Sequence, residues 1–286
     1  MRQTWLMALG SALFLCGASI FGSVTLAQVM SNSGSLTPPS SRVGADASPL
    51  TADNTNEITN SQERADFNAF VSISPEQVSK KIKAGENFLK KYNDSRLRGQ
   101  VYSLLTVLYI QAGDQDKGCS AGAKALQLNP KDVRTMGVLS QSIARSITSN
   151  TPDTSQKLAQ AENYAKDALT TTPALVKPEG VSDQAFDDAK KETLAMAHSG
   201  LGLVHIREGK FADAIPDLQQ AIQLDVKKDP TNLYLLGVAN QNSSRYADAA
   251  AAFTQCAAIH GALQPTCQSA ADEARKRAGS QSSSSQ

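Results

Sequence analysis

The sequence predicts an all-α protein built from a repeated pair of helices, and three observations carry that prediction. Hydrophobic residues make up 41% of the 286 residues and aromatics only 5%. Ala, Leu and Gln dominate the middle of the chain, and these residues favour helices over strands. Gly-containing turns and Pro stops separate the apolar stretches, and several residue types recur at one spacing late in the chain.

The first segment, residues 1–27, has the pattern of a secretory signal peptide. Arg2 precedes an apolar stretch, and small residues ending at Ala27 provide a cleavage site. Cleavage implies a periplasmic or secreted protein in an oxidising compartment. Two alternatives stay open. One is an uncleaved N-terminal membrane anchor. The other is a lipoprotein acylated at Cys16, although Leu15 is larger than the residue that the lipoprotein peptidase favours at that place.

Residues 28–73 are predicted to form a disordered tether. Ser, Thr, Asn, Pro and Asp dominate the stretch up to about Gln62, and large apolar side chains are scarce. Such a composition buries too little surface to offset the entropy of ordering the chain. The same argument predicts a disordered tail at residues 279–286, which leaves residues 74–278 as the folded domain.

Helix signals begin at Ser74, where a Ser cap, Pro75 and a following Gln predict a helix start. That helix is expected to end near Asn93. Further helices are expected over 96–112, from the break after Gly113 up to residue 129, and over 133–147 and 155–169. The pattern of helix, Gly-containing turn, helix and Pro stop then recurs to the end of the domain.

Three kinds of residue recur at one fixed offset of thirty-five in the last part of the chain. The pairs are Gly202 and Gly237, Phe211 and Tyr246, and Ala214 and Ala249. A shared offset across different residue types indicates a structural repeat, and its length is close to the period of about 34 residues of one helical repeat family.

These segments resemble the tetratricopeptide repeat (TPR) family in an exported bacterial form. The resemblance rests on a small residue at the helix crossing, an aromatic after the turn, Ala in the second helix and Pro at the end. It covers residues 75–278 and is fullest in the last two units. In an early unit Gln115 replaces the aromatic and Gly118 the usual Ala, and the next unit has a long turn at residues 148–154.

The resemblance implies an α-solenoid, whose end units need a polar outer surface because no neighbour covers them. The helix expected at residues 264–278 fits that position. It carries Ala270, Ala271 and Ala274 on one side and charged residues elsewhere. We expect it to be the C-terminal capping helix.

Charge and motifs argue against several functions. The chain has 28 basic and 27 acidic residues, so it lacks the field that nucleic acid binding needs, and membrane association is expected only through a retained or lipidated N-terminus. It contains no Ser-His-Asp arrangement that we can locate, no phosphate-binding Gly loop and no HExxH. We therefore expect no enzyme activity and no cofactor.

Two histidines and the late cysteines are the remaining candidates for chemistry. His198 and His205 share a helix face, but no Cys, Asp or Glu joins them at ligand spacing, so we expect packing rather than a metal site. A turn through residues 261–262 would bring Cys256 and Cys267 within disulfide range, the alternative being two reduced thiols. Cys119 is then left without a disulfide partner, and we expect it to be a small core residue.

The resemblance also implies a concave groove lined by the first helix of each unit. The matching positions are Val107, Ile110, Gln111, Gln141, Arg145, Leu203, Ile206, Arg207, Tyr234, Val238, Gln241 and Asn242. This set lacks the Lys, Asn and Arg combination with which family members clamp a C-terminal carboxylate. For Leu203 and Ile206, packing between repeats is the alternative.

These features together favour a non-enzymatic scaffold or adaptor of the cell envelope that binds a protein or peptide segment in its groove. Two other functions stay open. The chain would be a structural subunit of an envelope complex if its N-terminus were uncleaved or lipidated. It would be an accessory subunit of an enzyme if a site escaped the motif search.

Overall fold

The computed structural model describes Leu50, residues 60–148 and residues 150–284. All regular secondary structure in these residues is helical. The described helices are α1 Ser61–Ser72, α2 Val78–Lys91, α3 Arg98–Gln111, α4 Gln115–Leu128, α5 Val133–Ser146, α6 Thr154–Thr171, α7 Asp183–Arg207, α8 Phe211–Leu224, α9 Pro230–Asn242, α10 Tyr246–Ala257 and α11 Gln264–Ser284. The predicted signal peptide, residues 28–49 and 51–59 of the predicted tether, and residues 285–286 lie outside the described residues.

The helices pack in consecutive pairs, from α1 with α2 to α9 with α10, and α11 packs on α10. The first helices of later pairs also contact one another: α3 with α5, α5 with α7, and α7 with α9. The second helices α4, α6 and α8 each contact the first helix of the next pair. This is the connectivity of an α-solenoid, so the predicted all-α solenoid with a C-terminal capping helix is confirmed. We call α3, α5, α7 and α9 the inner helices and α4, α6, α8 and α10 the outer helices.

Glycine lies where the two helices of a late pair cross. A Cβ added at Gly202 would stand 2.6 Å from Cγ of Leu218 on α8. A Cβ added at Gly237 would overlap the ring of Phe253 on α10. Both approaches are too close for any side chain in a close-packed core. The fixed offset between these two glycines therefore reflects one helix crossing made twice.

The stack is tightest where α5 meets α7. Gly137 lies against Met196, and a Cβ added at Gly200 would stand 2.9 Å from Cβ of Ser140. These small residues let the two backbones approach, and every residue of Val133–Ala144 in α5 is buried. A helix buried on all sides belongs to the interior of a protein, so α5 is the central helix of the described stack.

The prediction of disorder over residues 28–73 was wrong for Ser61–Ser72, which form α1. The side chain of Asn60 accepts hydrogen bonds from two backbone N–H groups of the first turn, at 3.0 and 3.2 Å. Phe67 and Phe70 are 4% and 1% exposed. These two rings supply the apolar surface that the preceding Ser- and Thr-rich stretch lacks, and burying it stabilises the helix against α2.

The start of α2 also differs from the prediction. The helix begins at Val78 rather than at Pro75. The hydroxyl of Ser74 accepts a hydrogen bond from the backbone N–H of Glu76, at 3.4 Å. The predicted cap therefore belongs to a turn that leads into the helix.

Two other parts of the regions expected to be disordered lie on the helical domain. Leu50 is 7% exposed and packs in a cluster with Val133 of α5 and Phe186 of α7. At the other end α11 continues to Ser284, so the prediction of a disordered tail was wrong for residues 279–284. No helix in the described ranges is both long enough and apolar enough to cross a bilayer.

A disulfide joins the last helix pair to α11. Cys256 of α10 is bonded to Cys267 of α11, with their Cα atoms 5.7 Å apart. Both residues are fully buried, in a cluster with Phe253 and Leu263. This is the pairing expected from the sequence. Cys119 is free and partly buried.

Candidate functional site

Half of the twelve residues predicted to line a groove are buried in the stack, at 1–7% relative exposure. They are Val107, Ile110, Gln141, Leu203, Ile206 and Tyr234. A partner cannot reach side chains that the chain itself covers. The prediction of a partner-facing position was therefore wrong for these six.

The six are buried because successive inner helices pack directly on one another. Val107 and Ile110 of α3 form a cluster with Val138 of α5 and Met196 of α7. Leu203 lies in the central hydrophobic cluster of the stack, which was the alternative kept open for it. Because the inner helices approach closely, half of the residues predicted to line the groove are buried in the stack instead.

The other six predicted residues remain accessible. Gln111, Arg145, Arg207, Val238 and Gln241 are partly exposed, and Asn242 is exposed. All of them except Val238 lie in the last two residues of an inner helix. We call Gln111, Arg145, Arg207, Gln241 and Asn242 the inner-helix ends.

Contacts between α5 and α7 show that these two helices run parallel. Gly137 lies against Met196, Gly200 against Ser140, and Arg207 bonds to the end of α5. The contacts advance together along both helices, so the two C-termini meet at one edge. Arg145 and Arg207 are therefore neighbours on that edge.

Arg207 holds the C-terminus of α5. Its Nε donates to the carbonyl of Ala144 at 3.1 Å, and its Nη2 donates to the carbonyl of Arg145 at 3.3 Å. The last carbonyls of a helix have no partner within the helix and carry partial negative charge, so a guanidinium there is favourable. Burial lowers the pKa of the Arg207 guanidinium.

The accessible amides flank the two arginines along the inner helices. Gln111 ends α3 on one side, and Gln241 and Asn242 end α9 on the other. Nδ2 of Asn242 donates to the carbonyl of Val238 at 2.8 Å, which fixes that side chain on its own helix. A primary amide both donates and accepts hydrogen bonds, as a peptide group does. The edge is thus suited to hydrogen bonding with another polypeptide.

Sequence reasoning missed Asp217, which lies between the two histidines. Nδ1 of His198 is 2.9 Å from one carboxylate oxygen of Asp217, and Nδ1 of His205 is 3.5 Å from the other. Asp217 comes from α8, so spacing within α7 gave no signal of it. The three side chains are about four-fifths buried and join α7 to α8.

The charges of this cluster shift its titration. Burial would raise the pKa of Asp217, but the hydrogen bond with His198 and the nearby His205 outweigh it and lower that pKa below its usual value. The nearby carboxylate of Asp217 raises the pKa of His205 against the opposing effect of burial. Within the part of the chain that the structure describes, no group of three His, Cys, Asp or Glu side chains is arranged to hold a metal ion. The cluster links two helices, and it is an ion pair when histidine is protonated.

Two hydrogen bonds, one partly buried and one buried, link neighbouring inner helices. The hydroxyls of Ser103 on α3 and Thr135 on α5 are 2.7 Å apart. Ser199 on α7 donates to Oδ1 of Asn232 on α9 at 2.6 Å. A buried polar group needs a partner, so these bonds disfavour any other register of neighbouring units.

Comparison with known proteins shows the fold. No family model matches the sequence, and no curated protein matches it. A crystal structure of a thermophilic TPR protein from Thermus thermophilus superposes with a TM-score of 0.52 at 18% identity, covering 73% of this chain and 98% of that one. A structure of a MamA double mutant gives 0.49 at 15% identity, covering 70% and 94%. With its paired helices and glycine crossings, the described chain has the TPR fold.

Proposed function

We propose that this protein is a non-enzymatic scaffold that binds a segment of another protein along its inner-helix ends. The observation that carries the proposal is the row of accessible amide and guanidinium groups at the C-termini of α3, α5, α7 and α9. Such groups match the hydrogen-bonding groups of an extended peptide. The TPR fold adds support by analogy of fold alone.

Site-specific photocrosslinking tests this proposal. A benzophenone amino acid replaces Gln111 or Gln241 at the inner-helix ends, and the matched control replaces Gln220, which is exposed on the outer helix α8. We expect a discrete adduct with another protein from the two inner positions and none from Gln220. Equal labelling from all three positions, or no adduct from any, would overturn the proposed binding edge.

We further propose that the protein acts in the cell envelope after cleavage of residues 1–27. The signal-like sequence supports this location, as does the disulfide between Cys256 and Cys267, because disulfides persist in oxidising compartments. Mass spectrometry of the protein from its native cells tests it, and we expect a chain that begins at Gln28. An intact Met1 or a lipidated Cys16 would contradict cleavage after Ala27 and favour a tethered structural subunit.

A further inference from the structure

Two guanidinium groups share the edge where α5 and α7 end. Arg207 bonds to the carbonyl of Arg145, so both cations lie at the last turn of α5. Nε of Arg145 is buried and has no hydrogen-bond partner. Both arginines are partly exposed as whole residues. The two positive charges thus lie between the amides of Gln111 on one side and Gln241 and Asn242 on the other.

Neither arginine forms an ion pair with a carboxylate of the described residues. Other cations of the chain do have such partners. Lys91 lies 2.6 Å from Asp66, and Arg277 lies 2.9 Å from Glu273. Asp229 acts on Arg145 through its charge, but its carboxylate accepts a hydrogen bond from the N–H of Thr231 at 2.9 Å at the start of α9. Within the described residues, Asp229 therefore acts on Arg145 through its charge but forms no direct ion pair with it.

Partial burial makes this arrangement costly for the free protein. Burial lowers the pKa of Arg145, and the charge of Asp229 offsets that effect only in part. A partly desolvated cation that lacks a direct ion pair is destabilising, and a ligand carboxylate would supply the missing interaction. Guanidinium pairs best with a planar carboxylate, to which it donates two parallel hydrogen bonds.

We infer that Arg145 and Arg207 bind the carboxylate of an Asp or Glu side chain in the segment held by the inner-helix ends. This inference rests on the proposed function and names the chemistry of the partner. The flanking amides favour a side chain over a chain terminus, because Gln111 lies on one side of the arginines and Gln241 on the other. A segment that contacts both must continue past the two arginines.

A peptide library tests the inference on the full chain. The probes are immobilised random decamers, acetylated and amidated at their ends, whose central residue is fixed as Glu, Gln or Lys. A fourth set carries central Gln and a free C-terminal carboxylate. We expect the central Glu set to bind at least tenfold more tightly than the central Gln set, with the Lys set weakest. High salt should reduce the difference, because the pair is partly exposed to solvent.

Two variants separate a specific site from a general effect of charge. Arg145→Gln should abolish the preference for Glu and leave binding of the Gln set within about threefold. Arg245→Gln removes the same charge from an exposed position before α10 and should leave the preference intact. Circular dichroism checks that both variants are folded.

The outcomes distinguish the inference from the proposed function. If no decamer set binds, the proposed function fails and the inference fails with it. Binding without a Glu preference, or a preference that survives Arg145→Gln, leaves the scaffold function standing and overturns the carboxylate site. A preference for the free C-terminal set over the blocked Glu set would overturn the choice of a side-chain carboxylate.

Discussion

Lys81 shows how one buried charge holds the first helix of the described chain in place. The residue is 0% exposed, and its Nζ donates to the carbonyls of Val71 and Ile73, both at 2.7 Å. These carbonyls lie at the C-terminus of α1, where helical partners are missing. The ammonium therefore ties α1 to α2 by charge-assisted hydrogen bonds, which are the stronger kind.

Replacing this lysine tests that role. Lys81→Met keeps the length of the side chain but removes the donor to two partly buried carbonyls, and we expect a loss of about 2 kcal/mol in the free energy of unfolding. Lys80→Met, at an exposed neighbouring position, should change it by no more than about 0.5 kcal/mol. Urea unfolding measures both. Similar effects for the two variants would show that the hydrogen bonds of Lys81 do not stabilise α1.

The ion pair of Asp217 with His198 and His205 makes stability depend on pH. The lowered pKa of Asp217 gives stabilisation that is present above the unfolded value of about 4 and is lost as pH falls through the folded value. The raised pKa of His205 gives stabilisation that is present below the unfolded value of about 6.5 and is lost as pH rises through the folded value. Both contributions are present together at about pH 5–6.

The variant Asp217→Asn isolates this effect. We expect the loss in unfolding free energy to be larger at pH 5.5 than at pH 8.5, because only protonated histidine pairs with the carboxylate. Glu162, Glu208 and Asp213 also act on His205 through their charges, so some pH dependence should persist in the variant. Asp248→Asn, at an exposed position on α10, is the control and should show no such difference. An equal loss at both pH values would contradict the ion pair.

At the scale of helices, the contact between α5 and α7 depends on the absence of a side chain. A Cβ at Gly200 would stand 2.9 Å from Cβ of Ser140 and closer still to its hydroxyl. Gly200→Ala should therefore force the two helices apart and destabilise the protein by about 1–3 kcal/mol, despite the better helix propensity of Ala. Gly279→Ala, where no atom lies within 4 Å, should be neutral or stabilise by roughly 0.5–1 kcal/mol. Thermal unfolding of the two variants checks the contrast.

A second substitution shows whether the clash itself is responsible. Ser140→Gly removes the two atoms that would lie closest to the new methyl group. The double variant should therefore be more stable than the sum of the two single effects predicts. Simple additivity would show that Gly200→Ala acts elsewhere.

The sequence predicted the helix pairs better than it predicted the surface they present. Gly202 and Gly237 predict the helix crossings, because the same close contact between paired helices occurs in two units thirty-five residues apart. The burial of Leu203 depends on how closely α7 approaches α5. Gly137 and Gly200 together allow that approach, and they do not recur at a fixed spacing that the sequence would reveal.

The first helix and the histidine cluster escaped prediction for different reasons. The cap at Asn60 followed by Glu63 and then Phe67 was a readable helix signal, but it adjoins a stretch whose composition indicates disorder. Asp217 could not be predicted as a partner of the histidines from spacing within one helix. It lies on α8, nineteen residues after His198, and contacts the histidines only when α7 and α8 pack together. Local sequence patterns predict individual helices, whereas the contacts between helices can be identified only from the folded structure.

At the scale of the whole molecule, the helices of the stack differ in how many neighbours pack on them. The central helix α5 is buried on all sides, whereas the terminal helix α11 packs on α10 and is fastened by the bond between Cys256 and Cys267. In a repeat protein each unit is stabilised mainly by its immediate neighbours. Loss of a contact at one end should therefore destabilise the terminal helices more than the central ones.

Reduction of the disulfide tests this gradient by amide hydrogen exchange. Without the bond, α11 loses a constraint worth about 2 kcal/mol, so its amides should exchange roughly thirtyfold faster. Amides of α5 should be unchanged, because their exchange requires opening of the central units on both sides. Alkylating the free Cys119 before reduction serves as the control for effects of that thiol. Equal acceleration in α5 and α11 would mean that the stack opens as one cooperative unit, because only then does a bond at one end protect the centre.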